Sequence, residues 1–399
     1  MCQTLSISGY VSLIPSAGVF AAYMLLAASQ FPAGLSRFFP RLSTAKSHDL
    51  FRMSVGKEQH HVIAVETNAD NDDDMAQLSL GKLSLNLTTS QCQLESIKRL
   101  HDSLDPEKDY LERSACQTAA GRALWNHVIH DPLAEVFAGD VFLRRLLEKV
   151  QRDLEKKGRE TAGVMMAVRT LWFDARLAEA LARFNITTGH QVVLLGAGMD
   201  ARAYRLPILN NCSVFEVDSA KALHLKESIL QAMVEAGERL PALQAESLNR
   251  VAADIATDDW FEKLKVAGFE VHLPTVWILE GLLYYLQDVC AMETLKFIAQ
   301  NCMNETVVLA DFMNESSTHL AHELKTHFYF HSDWPEELLP NLGFSQVKVS
   351  QIGDPDANFG LINDELNLFH QIRRISRHVK ADVDGKPYRR LLLVESWAS

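Results

Sequence analysis

The stretch Val192-Val-Leu-Leu-Gly-Ala-Gly-Met-Asp-Ala-Arg-Ala-Tyr-Arg-Leu206 decides the fold class of this 399-residue chain. Its four leading apolar residues predict a buried strand, and the glycines behind them predict a tight turn at the strand's carboxyl end. Because glycine has no Cβ, Gly196 and Gly198 let a ligand approach the backbone N–H groups of the turn. The stretch therefore predicts the nucleotide-type binding turn of an open α/β sheet.

Strand-like apolar runs alternate with amphipathic helical stretches on both sides of this turn, the pattern of a doubly wound α/β sheet. Helices are predicted at 221–236 and 289–300. The predicted strands are Gln191–Leu195, Cys212–Val217, a short third at Asn249–Ala253, a fourth within Val271–Leu279, Thr306–Ala310, Gln346–Ser350 and Arg390–Glu395. Seven strands suit a class I methyltransferase fold better than the six-stranded dinucleotide-binding fold.

A carboxylate follows the second predicted strand where a ribose-binding residue is expected. Asp218 lies 22 residues past Gly196, and an acidic side chain at this place accepts hydrogen bonds from ribose hydroxyls. The spacing Gly196-x-Gly198-x-x-Ala201 also satisfies the dinucleotide fingerprint. The turn and the carboxylate together leave two cofactors open, NAD and S-adenosyl-L-methionine (SAM).

Four ordered blocks resemble the leucine carboxyl methyltransferase family, and within it the branch of SAM-dependent O-methyltransferases. They are the glycine turn through Leu206, Phe215-Glu-Val-Asp218, Ala253-Asp-Ile255 and Trp277-Ile-Leu-Glu-Gly-Leu-Leu-Tyr-Tyr-Leu286. Thr118-Ala-x-Gly-Arg-Ala123 and Asp131-Pro-Leu-Ala134 are similar to the branch's N-terminal helical segment. The resemblance covers about residues 114–398 and implies a Rossmann-like, seven-stranded domain with an N-terminal helical cap.

For the amino-acid end of SAM, the resemblance implies five residues. Arg169 would hold the methionine carboxylate, a bidentate task that suits a guanidinium; the alternative is a surface or helix-pairing arginine. Gly196, Ala197 and Gly198 would line the amino-acid and ribose portion. Glu280 would lie near the SAM amino group or the methyl-transfer site, or else it caps a helix.

For the nucleoside end, the resemblance implies three further residues. Asp218 would hold the ribose diol, and Asp254 would accept from the adenine amino group. Ile255, where the family has leucine, would pack on the adenine ring. Asp200 replaces the third glycine of the general turn, as is typical of the family, and we interpret Arg205 as closing a salt bridge with a local carboxylate.

The implied reaction transfers a methyl group from the SAM sulfonium to an oxygen. Such a displacement needs in-line approach and exclusion of water, so we assign no catalytic residue. A carboxylate acceptor is already ionised, whereas a phenol or alcohol would need a base. His327, His331 and His370 are candidates, although each is more typical of an ordinary surface or hydrogen-bonded histidine. Tyr284 and Tyr285 are candidates for the wall of the acceptor pocket, one of them as a core residue.

A small-molecule acceptor is our first choice, and three alternatives stay open. One is a carboxyl methyltransferase acting on the C-terminal leucine of a protein. An NAD(P)-dependent oxidoreductase would use the same turn and Asp218, but it gives no reason for the blocks around Asp254 and Glu280. A catalytically silent SAM-binding protein would keep the cofactor residues and lack a usable acceptor pocket.

Charge and cysteine content exclude other classes. The chain has 39 Lys+Arg against 51 Asp+Glu and a formal net charge of -12, which argues against a nucleic-acid partner. Its six cysteines contain no C-x-x-C pair, so we predict reduced, mostly buried thiols and no metal site.

The charge pattern also suggests how the chain is divided. Residues 1–58 are Ser-rich and acid-poor and predict an organellar leader, for chloroplast or mitochondrion, with a cytoplasmic location otherwise. Within them Val11–Phe31 is long enough to span a bilayer, but Ser, Pro and Gly dilute it, so no firm membrane anchor is predicted. We place a flexible acidic linker at 59–105 and the methyltransferase domain at 106–399. The oligomeric state is left open.

Overall fold

A computed structural model describes residues 94–155, 164–184, 189–257, 259–301, 305–323, 327–362 and 391–398. These residues contain one seven-stranded sheet. Its strands are β1 (His190–Leu195), β2 (Cys212–Asp218), β3 (Ser247–Ala252), β4 (Thr275–Leu279), β5 (Thr306–Met313), β6 (Phe344–Gln351) and β7 (Leu391–Ala398). Each lies where the sequence predicted a strand, so the predicted α/β class is confirmed.

The strands follow the order β3-β2-β1-β4-β5-β7-β6. The first five are parallel to one another. β7 inserts between β5 and β6 and runs antiparallel to both. The strand order reverses between β1 and β4, which lie side by side, and open α/β sheets bind ligands at such a switch point, beyond the carboxyl ends of the strands.

Eleven α-helices surround this sheet in the described part of the chain. They are α1 (Glu95–Asp102), α2 (Tyr110–Leu124), α3 (Asn126–Ile129), α4 (Ala134–Glu155), α5 (Val164–Arg183), α6 (Arg202–Arg205), α7 (Ala220–Glu235), α8 (Trp260–Val266), α9 (Asp288–Asn301), α10 (Glu315–Glu323) and α11 (Pro335–Leu338). The predicted helices at 221–236 and 289–300 correspond to α7 and α9. Helix α4 bends at Gly139, whose φ of 69° is not helical.

Two apolar cores lie on opposite faces of the sheet, because successive side chains of a strand point to opposite sides. Val192 and Leu194 of β1 belong to a core that includes buried residues of α2, α4, α5 and α7. Val193 and Leu195 belong to a second core with α8 and α9. The sheet is therefore doubly wound, and its central strands are apolar on both faces.

The N-terminal helices extend the first core beyond the predicted domain start. Ile97 and Leu104 are buried in that core, and buried His101 contacts the carbonyl oxygens of Ile97 and Phe137 at 3.0 and 3.1 Å. Residues 94–105, which the sequence analysis assigned to the linker, therefore belong to the fold. Because polar residues separate these apolar positions, the helical spacing was missed.

The rest of the predicted linker, 59–93, and the predicted leader, 1–58, lie outside the described residues. Within the described ranges, none of the helices combines the length and the apolar character needed to cross a bilayer. The three cysteines described there are free, with Cys116 and Cys212 buried and Cys290 partly exposed. The same ranges contain no group of three or more His, Cys, Asp or Glu side chains suited to a metal ion.

Candidate functional site

A cavity of about 380 Å³ lies at the carboxyl ends of β1, β2 and β4. This volume falls within the range of small-molecule sites. All eight residues that the sequence analysis assigned to the cofactor line it: Arg169, Gly196, Ala197, Gly198, Asp218, Asp254, Ile255 and Glu280. The fold thus brings residues from five parts of the chain to the predicted place.

The turn after β1 needs glycine for two reasons. Gly196 and Gly198 have φ values of 76° and 44°, in the left-handed region that favours glycine. A Cβ on Gly196 would lie 3.0 Å from the Leu282 side chain, and one on Gly198 would lie 3.0 Å from Cβ of Ala115 on α2. The turn therefore packs closely between the loop after β4 and helix α2.

Asp218, the last residue of β2, is fixed by two backbone donors. Its Oδ2 accepts from the N–H of Gly198 and its Oδ1 from the N–H of Ser219, both at 2.6 Å. A carboxylate oxygen offers more than one acceptor site, so each oxygen can still accept from a hydroxyl. Burial raises the pKa of Asp218, against the opposing effect of these two N–H groups.

Asp254 and Ile255 follow β3 at the other end of the cavity. Asp254 is exposed, and its Oδ1 accepts from the N–H of Ala256 at 2.9 Å, which shapes the loop. The partly buried side chain of Ile255 packs on the second core. A polar acceptor beside an apolar side chain is the arrangement that the resemblance implies for an adenine ring.

Arg169, on α5, is buried rather than on the surface. Its Nε donates to Oε1 of Glu280 at 3.0 Å, and its Nη1 donates to Oδ2 of Asp311 at 3.1 Å and to the Tyr284 hydroxyl at 3.3 Å. The alternative of a surface arginine is therefore wrong. The guanidinium is fixed at the cavity wall by two carboxylates, of which the sequence analysis had identified only Glu280.

Glu280 follows β4 and is bound by two arginines. Its second oxygen, Oε2, accepts from Nη2 of Arg202 at 2.7 Å. The short 3-10 helix Leu283–Tyr285 that comes next has no side-chain cap. The alternative of a helix-capping glutamate is therefore not supported, and Glu280 instead joins β4 to α5 and α6.

Arg202, whose role was not predicted from the sequence, is buried below the turn. Its guanidinium also pairs with Asp174 on α5 and with Asp200. Burial would raise the pKa of Asp200, but nearby arginines, chiefly Arg202, outweigh it and lower that pKa to about 2. The replacement of the turn's third glycine by aspartate thus supplies a partner for Arg202, and the spacing Asp-x-Arg was the available signal.

Arg205 makes the ion pair that the sequence predicted. Its Nη1 and Nη2 donate to the two oxygens of Asp174 at 2.6 and 2.8 Å. This bidentate contact fixes α6, the helix that follows the glycine turn, to α5.

Helix α2 covers the cavity. Tyr110, Ser114, Ala115 and Thr118 line it from this helix, at a spacing that puts them on one face. Near the end of α2, Arg122 donates to Asp131 at 2.8 Å. It also donates to the carbonyl oxygen of Met199 in the glycine turn.

Tyr284 and Tyr285 both line the cavity, and Tyr284 is buried as expected of a core residue. The Tyr285 hydroxyl lies 2.7 Å from Oγ of Ser114. Burial raises the pKa of Tyr285 well above its ordinary value. The phenol is therefore protonated at neutral pH and acts as a hydrogen-bonding group rather than as a base.

Neither His327 nor His331 lines the cavity. The ring of His327 lies against that of Tyr110 at the start of α2, with ring centroids 4.4 Å apart and the planes tilted by 35°. Its side chain and that of His331 are absent from the described cavity wall, and His370 lies outside the described residues. Among the described residues that line the cavity there is no His, Lys or Cys.

The strand order, the antiparallel seventh strand and a cavity lined by a glycine turn, Asp218 and Glu280 define the class I SAM-dependent methyltransferase fold. Comparison with known families agrees. Residues 115–299 match the leucine carboxyl methyltransferase family, which confirms the resemblance predicted from the four sequence blocks.

Curated relatives carry the name "Putative S-adenosyl-L-methionine-dependent methyltransferase". One from Mycolicibacterium smegmatis is 37% identical over 182 residues, covering 43% of this chain and 56% of the relative. One from Mycobacteroides abscessus is 36% identical over 166 residues, covering 40% of this chain and 50% of the relative. The chain thus spans about half the length of the curated relatives it matches.

Solved structures are more distant. A DUF574 family protein from Streptomyces avermitilis has 9% sequence identity and a TM-score of 0.45, with 72% of this chain and 100% of that chain covered. The magnesium protoporphyrin IX methyltransferase of Synechocystis, solved with bound SAH, has 11% identity and a TM-score of 0.34, with 65% and 99% covered. At these scores, the fold assignment rests on the strand order and the family match.

Proposed function

We propose that this protein binds SAM and transfers its methyl group to an oxygen of a small-molecule acceptor. The observation that carries the proposal is the meeting of all eight predicted cofactor residues in one cavity at the β1/β4 switch point. The names of the curated relatives support the same donor. Because the chain matches only about half the length of these relatives, we infer the methyl acceptor from the residues of the site.

The residues present fit SAM. Gly196 and Gly198 keep the turn free of side chains, and Asp218 has acceptor capacity left for two ribose hydroxyls. Asp254 and Ile255 offer an acceptor and an apolar contact to the adenine. At the opposite end, Arg169 and Glu280 offer a cation and an anion for the carboxylate and the ammonium of the methionine portion.

When bound, SAM supplies an electrophilic methyl group on its sulfonium, and the protein's part is to orient donor and acceptor and to keep water out. Residues of helix α2 line the cavity, so this helix would shield a bound cofactor from water on its side. Ser114 and Tyr285 place two hydroxyl groups 2.7 Å apart on the wall between α2 and the loop after β4. They can orient an acceptor oxygen without removing a proton from it.

A carboxylate acceptor suits this wall better than an alcohol. The described lining residues include no His, Lys or Cys, and the Tyr285 phenol is held protonated by burial. The lining carboxylates Asp200 and Glu280 are paired with Arg202. A carboxylate needs no base, because it is ionised at neutral pH. We therefore propose an ester-forming reaction on a small carboxylic acid. Methylation of a protein C-terminal leucine would use the same chemistry on a larger acceptor.

Calorimetry on the full chain tests the donor. We expect binding of SAM and of its product S-adenosylhomocysteine (SAH), no binding of NAD, and weaker SAM binding in Asp218→Ala. NAD binding without SAM binding would favour the oxidoreductase and sink the proposal. So would an Asp218→Ala variant that binds SAM as the wild type does.

Methyl transfer from labelled SAM to a panel of carboxylic acids and matched alcohols tests the acceptor. A methyl ester releases its label as methanol in alkali, whereas a methyl ether does not. We expect alkali-labile label on acids only. Labelled alcohols would contradict a carboxylate acceptor. Label on a peptide ending in leucine, and on none of the small acids, would favour a protein acceptor. Tight SAM binding without any methyl transfer would favour the catalytically silent SAM-binding protein.

We also propose that residues 1–58 direct the protein to a chloroplast or mitochondrion and that nucleic acid is not its partner. Their scarcity of acidic residues and the net charge of -12 support these proposals. Imaging of residues 1–60 fused to a fluorescent protein tests the first, and a diffuse cytosolic signal would contradict it.

A further inference from the structure

A buried carboxylate, Asp311, lies behind the cavity wall and belongs to none of the eight predicted site residues. It sits near the end of β5 and is fully buried. Its Oδ1 accepts from the N–H of Gly281 at 2.7 Å, and its Oδ2 accepts from Nη1 of Arg169 at 3.1 Å. One side chain thus holds two parts of the wall, helix α5 and the loop after β4.

Both oxygens of Asp311 accept hydrogen bonds from N–H donors, an arrangement that favours the ionised form of a carboxyl group. Burial raises the pKa of Asp311, and the charge of Arg169 and the N–H of Gly281 oppose that rise. Arg169 and Gly281 thus fix the orientation of the Asp311 carboxyl group.

Both partners of Asp311 lie at the end of the cavity that faces the amino-acid portion of SAM. Arg169 is held between Asp311 and Glu280. Gly281 has a φ of 73°, and a Cβ there would lie 3.3 Å from the Tyr284 hydroxyl and 3.6 Å from both terminal nitrogens of Arg169. The loop after β4 therefore packs against the Arg169 guanidinium at Gly281. A shift of Gly281 would change the cavity wall beside Arg169.

The nucleoside end of the cavity has no contact with Asp311. Asp218 is held by the N–H groups of Gly198 and Ser219, and Asp254 by that of Ala256. A change at Asp311 should therefore act on one end of the cofactor only. This asymmetry makes its role separable from a general effect on the fold.

We propose that Asp311 is the positioning residue for the amino-acid end of the cofactor site, acting through Arg169 and Gly281 on the α-amino carboxylate group of the ligand. The inference rests on the proposed SAM site and deepens it. Asp311 itself does not line the cavity.

Two ligands separate this role from a merely structural one. SAH carries the amino carboxylate, whereas 5′-methylthioadenosine has the same nucleoside and thioether without it. Calorimetry on the full chain compares the two ligands in the wild type and in Asp311→Asn. We expect the SAH affinity to fall about tenfold or more, as for the loss of a charged hydrogen bond, and the 5′-methylthioadenosine affinity to stay near the wild-type value.

Glu395→Gln is the matched control. Glu395 is a buried carboxylate on the neighbouring strand β7, faced by Arg176 and Arg183, and it does not line the cavity. Its substitution removes a similar buried charge away from the site. We expect both ligands to bind this variant as they bind the wild type.

Gly281→Ala is a second variant in case Asp311→Asn does not fold, which the Tm would show. Its methyl group acts on the same end of the site, so it should weaken SAH selectively as well. Equal losses for both ligands in the folded variants, or no loss, would overturn the role of Asp311. Failure of the wild-type chain to bind either ligand would instead overturn the proposed SAM site.

Discussion

Asp218 is the residue whose charge most directly affects the nucleoside end of the site. Only its ionised form can accept from the N–H groups of Gly198 and Ser219 and from ribose hydroxyls together. Because burial raises its pKa above the ordinary 3.8, the carboxylate takes up a proton at a higher pH than an exposed aspartate does. The affinity for SAH should therefore fall as the pH is lowered toward this raised pKa.

Asp218→Asn should bind SAH about tenfold more weakly at neutral pH, since one charged hydrogen-bond acceptor is lost. Its affinity should also lose most of the pH dependence. Calorimetry over a pH series measures both effects, with Asp254→Asn as the control for an exposed carboxylate at the same end. A variant that keeps the wild-type pH profile would show that another group is responsible.

The sequence predicted Asp218 but not Asp311, and the reason is physical. Asp218 belongs to a local pattern, a glycine turn followed by a strand with a terminal carboxylate. Asp311 follows the apolar run Thr306–Ala310, and a carboxylate at this place in the sequence is typical of a strand end that is exposed to solvent. Its partners Gly281 and Arg169 are 30 and 142 positions away, and only the sheet order brings them together.

Helix α2 and the glycine turn are the elements whose contact encloses the cavity. In Gly198→Ala the new methyl group would meet Ala115 at 3.0 Å, at a φ of 44°. We expect the free energy of unfolding of this variant to fall by about 1–2 kcal/mol because alanine is strained in the left-handed region. Displacement of α2 by the new methyl group should lower it further. The SAH affinity should fall with it, because α2 covers the site.

The double variant Gly198→Ala, Ala115→Gly separates these two costs. Removing the Ala115 methyl relieves the contact but not the backbone strain, so part of the stability and of the SAH affinity should return. Urea unfolding and calorimetry on the two single variants and the double variant give the coupling energy. If the effects of the two substitutions on stability are strictly additive, the glycine turn and α2 are not in steric conflict in Gly198→Ala.

A second pair of elements, β2 and α7, is joined by a buried ion pair. Nζ of Lys226 lies 2.8 Å from Oε1 of Glu216, and both side chains are fully buried. Lys226→Met would leave the carboxylate with Arg250, 2.9 Å from its other oxygen. We expect a loss of about 3 kcal/mol in the free energy of unfolding, at the lower end for a broken buried pair.

The double variant Glu216→Gln, Lys226→Met should be more stable than Lys226→Met alone, because the buried charge is then removed. Urea unfolding curves at neutral pH compare the variants. If Lys226→Met is as stable as the wild type, Arg250 alone suffices for Glu216 and the pair does not hold α7 to the sheet.

At the scale of the whole molecule, the sequence predicted the sheet better than the domain's first residue. Each strand is a continuous apolar run, and such runs are visible without tertiary information. The predicted start at residue 106 lies just before the resemblance, which begins near residue 114. Helix α1 has only two aliphatic residues, Ile97 and Leu100, among polar ones. Its burial depends on contact with α4 and α7.

A shortened chain tests where the domain starts. A chain from residue 106 lacks Ile97, His101 and Leu104, which are all buried. It should lose about 3 kcal/mol or more of stability relative to a chain from residue 94, the scale for burying two aliphatic side chains. Thermal unfolding of both forms, with the full chain as reference, measures the difference as a shift in Tm. Equal Tm values would show that α1 is dispensable.

The stability difference between the chains from residues 94 and 106 should depend on pH, and this dependence identifies the contribution of His101. Burial lowers the pKa of His101 from 6.5, against the carbonyl contacts, so the folded chain keeps the ring neutral. The unfolded chain takes up a proton near 6.5, and stability is therefore lost as the pH falls below that value. The chain from residue 94 should lose part of its advantage over the chain from residue 106 on acidification. His101→Gln in the longer chain should remove this pH-dependent part. An advantage that is constant with pH would place the contribution of α1 in its apolar side chains alone.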